Sequence, residues 1–79
     1  MTKAKTVKQV LKAVDCPLFD LWKADDGYWV LEYDNPALGM YETKAEMVMY
    51  LNSMTVEQWV ESAKAFINKV ETEYQENRV

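Results

Sequence analysis

Histidine is absent from the chain, and cysteine, glycine and proline are scarce: one Cys, two Gly and two Pro in 79 residues. Without histidine the commonest general base and metal ligand is missing. The single Cys16 excludes an internal disulfide, which small secreted domains usually need. Cys16 precedes a proline and lacks a histidine partner, so it reads as a small apolar residue between a helix and a sheet rather than a reactive thiol. No glycine-rich phosphate loop is present. Ser53 and Ser62 stand in no nucleophile-elbow motif. No apolar run approaches the roughly 20 residues that span a bilayer. The first dozen residues have no apolar centre, so no secretory leader is expected and a cytoplasmic setting is.

What is there suits one folded domain spanning 1–79. Apolar residues make up 49% and charged residues 28%. Ten aromatic residues set the chain apart from disordered sequences. Net charge is −4, unevenly spread. Residues 1–12 carry Lys3, Lys5, Lys8 and Lys12 and no acid; the remainder carries all 13 acids against five bases, a net −8. An acidic body disfavours direct nucleic-acid binding, which depends on neutralising phosphates. The basic amino end has no interleaved aromatics for base stacking and reads as a solvated helix face. A basic protein partner fits better, although such charge also serves plain solubility.

Three capping boxes suggest three helix starts: Thr6-Val-Lys-Gln9, Thr43-Lys-Ala-Glu46 and Thr55-Val-Glu-Gln58. Val7, Val10, Leu11 and Val14 form one face of a first helix over Val7–Val14, stopped by Pro17. A second helix is expected from about Lys44 to Asn52, with Ala45, Val48 and Leu51 as its seam. The third has the strongest stripe: Val56, Trp59, Val60, Ala63, Phe66 or Ile67, Val70 and Tyr74. Residues 1–5 and 75–79 are expected to fray.

Leu18–Ala24 and Tyr28–Tyr33 read as a β-hairpin around Asp25-Asp26-Gly27. A two-residue turn would pair Ala24 with Trp29; a three-residue loop would pair Ala24 with Tyr28. The three-residue register gathers Phe19, Leu21, Trp29, Leu31 and Tyr33 on one face and is preferred. Its flaw is that Asp20 then faces Glu32, an unfavourable like-charge pair. Met40-Tyr41-Glu42 is a candidate third strand. The expected fold is α+β: a small two- or three-stranded antiparallel sheet with three helices packed on one face, in the order α-β-β-(β)-α-α.

No catalytic site, metal site or cofactor is expected. Asp25-Asp26-Gly27 is too short for a calcium loop and fits turn chemistry. The preferred register leaves Trp22, Tyr28 and Val30 on the uncovered face, ringed by Asp20, Asp25, Asp26 and Glu32. Aromatic anchors inside a charged rim are typical of contact surfaces, so these seven residues form the candidate protein-binding site. Met47, Met49 and Met54 read as core filling, with adaptable binding as the other reading.

The stretch from Tyr41 to Phe66, opening Tyr-Glu-Thr-Lys-Ala-Glu-Met-Val-Met-Tyr-Leu-Asn-Ser-Met-Thr-Val-Glu-Gln-Trp-Val, resembles small acidic accessory proteins encoded by tailed bacteriophages. The likeness is one of size, acidity and style. It implies a host-cytoplasm setting and a host protein as target, inhibited or redirected by occupation of a surface. The expected function is therefore a non-enzymatic protein-binding module. An acidic mimic that occludes a nucleic-acid-binding site, and a self-assembling structural protein or homodimer, are the alternatives.

Overall fold

A computed structural model describes residues 2–76. Of the termini expected to fray, Met1 and 77–79 lie outside the described residues. The chain runs through helix α1 (Val7–Val14), strands β1 (Phe19–Lys23), β2 (Trp29–Asn35) and β3 (Met40–Glu46), a single 3-10 turn (Leu51–Ser53) and helix α2 (Val56–Glu76). The three strands form one antiparallel sheet in the order β1-β2-β3.

Two of the three capping boxes start helices. The Gln9 amide donates to Thr6 Oγ1 at 3.1 Å, while Gln9 Oε1 accepts from the Lys5 amide at 3.0 Å. At α2 the exchange is reciprocal: Gln58 N to Thr55 Oγ1 at 3.1 Å and Thr55 N to Gln58 Oε1 at 2.9 Å. Helix α1 stops at Val14 because Asp15 turns left-handed (φ 56) and sends its amide back to the Leu11 carbonyl. Ahead of α1, Ala4 is fully buried, and backbone bonds Ala4 N to Met54 O and Val56 N to Thr2 O hold this leader against the start of α2.

The expected helix from Lys44 to Asn52 does not form, so the α-β-β-(β)-α-α order with three helices is corrected to α-β-β-β-α. Residues 40–46 continue the sheet instead, pairing Met40 with Asn35 through Glu46 with Trp29. A nine-residue helix is marginal on its own. A cap contributes only about 1 kcal/mol, whereas β2 offered a full row of unpaired backbone groups. Gly39 (φ 66) closes the turn that delivers β3 to that row. Val48 and Leu51, two members of the expected helical seam, still reach the core, half-buried in an irregular segment.

The core lies between the two helices and one face of the sheet. Phe19, Leu21, Leu31, Tyr33 and Met40 meet Val10 and Val14 of α1 and Trp59, Ala63, Phe66 and Val70 of α2. Trp59 is completely buried, and its Nε1 donates to the Leu51 carbonyl at 2.8 Å, which fixes the 3-10 turn. Trp29 meets the Trp59 ring edge-on, with centroids 6.4 Å apart and planes at 72°. Both helices sit on this one side, and among the described residues the opposite side of the sheet carries no helix or strand.

Candidate functional site

The hairpin register determines what the uncovered side presents. Asp20 pairs with Glu32, Leu21 with Leu31 and Trp22 with Val30. The turn is the three-residue form: Ala24 N donates to Tyr28 O at 2.9 Å, and Gly27 takes φ 92. Asp26 Oδ1 accepts from the Tyr28 amide at 3.0 Å, closing an Asx-turn. Alternation then puts Asp20, Trp22, Val30, Glu32 and Asp34 on the outer face. In β3 the same rule adds Tyr41, Thr43 and Ala45, which lie opposite Asp34, Glu32 and Val30.

A network crosses all three strands on this face. Trp22 Nε1 of β1 donates to Glu32 Oε1 of β2 at 3.2 Å, and Tyr41 Oη of β3 donates to the same oxygen at 3.0 Å. That bond to Glu32 is the first cause of a Tyr41 phenol held above its ordinary pKa; some desolvation and the charges of Glu32 and Asp34 add to it. The expected conflict between Asp20 and Glu32 is relieved by giving each carboxylate its own donors. Asp20 Oδ1 accepts the Leu21 amide at 2.8 Å, and Glu32 takes the two aromatic donors.

Of the seven sequence-predicted site residues, Trp22 is 39% exposed, and Asp20, Asp25 and Asp26 are exposed. Tyr28 and Glu32 are half-buried. Val30 points outward but is only 8% exposed and lies outside the core cluster. It forms a floor between Trp22 and Ala45 rather than a contact in its own right.

Sequence reasoning missed Tyr41, which is 59% exposed and completes the network. It also placed Met47 and Met49 in the core, and both are exposed, as is Tyr50; only Met54 packs inward. Met49 lies against the acidic turn, so that a Cβ on Gly27 would meet its Cε at 3.2 Å. Exposed apolar groups therefore include Met49 at the hairpin end as well as Trp22 and Tyr41 on the sheet.

Among the described residues of the sheet, charge on the outer face has one sign. Asp20, Glu32 and Asp34 project there, and the two lysines of the sheet, Lys23 and Lys44, fall on the opposite parity. The amino-terminal lysines Lys3, Lys5, Lys8 and Lys12 are exposed. Cys16 is half-buried and packs against the core. Among the described residues no group of three or more His, Cys, Asp or Glu is placed to hold a metal ion, and no helix is long and apolar enough to cross a membrane. Compared with protein-family models, curated proteins and solved structures, the chain matches none.

Proposed function

We propose that the protein is a non-enzymatic binding module whose outer sheet face docks on another protein with a basic surface. The observation that carries this reading is the Trp22–Glu32–Tyr41 network on a face no helix covers. Two rings from opposite edges of the sheet are held in fixed orientation by one carboxylate. Rings held this way lose little side-chain entropy when a partner covers them. Asp20, Asp25, Asp26 and Asp34 surround them and steer a basic partner into register. The resemblance to bacteriophage accessory proteins extends the reading to an inhibitor or modulator of a host protein, acting in the host cytoplasm. Direct nucleic-acid or membrane contact forms no part of it, and neither does a cofactor.

The test is capture of partners from cytosol on the immobilised protein at low and high salt. Anchored docking requires that Trp22→Ala with Tyr41→Ala abolish capture at both salt concentrations. Truncating such anchors typically costs about 2 kcal/mol or more each. Neutralising Asp25 and Asp26 then weakens capture chiefly at low salt. Capture that survives the ring substitutions but disappears when the acids are neutralised points to nucleic-acid mimicry instead and overturns this reading.

A further inference from the structure

The two edges of the sheet are not equivalent. Ala24 N to Tyr28 O and Asp34 N to Leu18 O fix which backbone groups of β2 face β1: those of its even-numbered residues. The odd-numbered residues of β2 therefore face β3, where Leu31 pairs with Lys44 and Tyr33 with Glu42. By the same alternation Tyr41, Thr43 and Ala45 aim their amides and carbonyls at the free edge of β3, and Phe19, Leu21 and Lys23 do so at the free edge of β1.

The β1 edge is covered at two of its three outward-facing residues. Its Phe19 amide donates to the Cys16 carbonyl at 3.1 Å, and its Leu21 amide to Asp20 Oδ1 at 2.8 Å. Side-chain and loop covers of this kind are how proteins prevent unwanted strand pairing. The β3 edge has no such cover. Among the described residues the Tyr41, Thr43 and Ala45 amides have no hydrogen-bond partner, and residues 41–45 are all exposed.

We propose that this open edge pairs with the β3 edge of a second copy, antiparallel and centred on Thr43, giving a two-fold dimer with a continuous six-stranded sheet. The strand is self-complementary only in that register. Met40–Glu46 overlaps its copy along its full length, Thr43 faces Thr43, and Glu42 faces Lys44 twice. Shifting the centre by one residue sets Glu42 against Glu42 or Lys44 against Lys44. The backbone agrees with the charges. Thr43 and the Tyr41–Ala45 pairs would exchange main-chain bonds, which makes Glu42–Lys44 a non-hydrogen-bonded pair, the kind in which side chains approach most closely. Edge pairing leaves the outer face free, so this dimer stands independently of what that face binds.

Charge reversal tests the pairing by sedimentation of the full chain across a concentration series. Wild type should show a reversible monomer–dimer equilibrium. Glu42→Lys and Lys44→Glu each place like charges opposite one another twice, and each alone should weaken the dimer by at least about tenfold. Mixed one to one, the two variants regain opposite charges at every pair and should form a heterodimer of wild-type strength. All four positions of the interface charges are exposed, so circular dichroism of each variant should match wild type. A wild-type chain monomeric up to about millimolar concentration, a dimer indifferent to either reversal, or a mixture that stays monomeric would each overturn the proposal.

Discussion

Trp22 and Tyr41 sit on the two edge strands, 19 residues apart in sequence, and donate to the same atom, Glu32 Oε1, at 3.2 and 3.0 Å. The carboxylate organises the outer face as Trp59 organises the core. Replacing Glu32 with Gln keeps its shape and one acceptor oxygen but removes the charge. Glu32→Gln should therefore leave stability within about 1 kcal/mol of wild type, since exposed charged hydrogen bonds contribute little. It should also lower the Tyr41 pKa, which the bond to Glu32 raises. Absorbance titration of the phenols, compared with Tyr41→Phe, checks this.

Two tryptophans near the core should respond unequally to the same change. Trp59 is fully buried with its Nε1 bonded to Leu51, whereas the Trp29 Nε1 is buried with no partner among the described residues. An unmet buried donor costs about 1–3 kcal/mol. Trp29→Phe removes that penalty along with some packing, while Trp59→Phe removes packing and the 2.8 Å bond to the Leu51 carbonyl, which keeps only the longer 3.4 Å bond from the Met54 amide. Urea denaturation should find Trp59→Phe the less stable by about 1–2 kcal/mol. Equal losses would mean the Trp29 donor is satisfied in solution.

Alkaline pH should act through Tyr33. Its phenol is buried, which raises its pKa; Asn35 opposes the shift, and the neighbouring Glu71 carboxylate adds to it. The native state therefore holds this proton more tightly than the unfolded chain, where the group ionises near its ordinary value of about 10. The stabilisation is complete below about pH 10 and is lost as pH rises through the higher native value. Urea midpoints measured from neutral pH into this range should fall more steeply for wild type than for Tyr33→Phe. Parallel curves would contradict the assignment.

The two Thr-x-x-Glu/Gln boxes at Thr43 and Thr55 look alike in sequence and differ in structure. Thr55→Ala should cost about 1 kcal/mol, the usual value of a cap. Thr43→Ala, in an exposed strand, should cost no more than a few tenths of that scale. Thermal or chemical unfolding of both variants separates a working cap from a coincidental one.

That contrast shows what could be read in advance and what could not. The bounds of α1, the α2 stripe and the hairpin register were legible because burial of one face imposes a period on the residues. Strand β3 was legible only in its first three residues, Met40-Tyr41-Glu42, of which Met40 alone is buried. From Tyr41 to Ala45 both faces meet solvent, so no alternation of apolar and polar residues marks the strand. From Thr43 on, a local capping pattern pointed to a helix, so the strand was cut short after Glu42 and its place beside Glu32 went unread. Trp22 was found because its strand has a greasy inner side to set the parity. The convergence on Glu32 depends on strand pairing between residues distant in sequence, which no local pattern encodes.

Whether another protein sits on the outer face is decided by site-specific photocrosslinking in living cells that express the chain. A photoreactive aromatic residue replaces Trp22 in one variant and the exposed Glu61 of α2 in another. Docking on the outer face should give a discrete adduct with a protein other than the chain itself from position 22 and none from position 61. An adduct from position 61 alone, or equal nonspecific labelling from both, would contradict it.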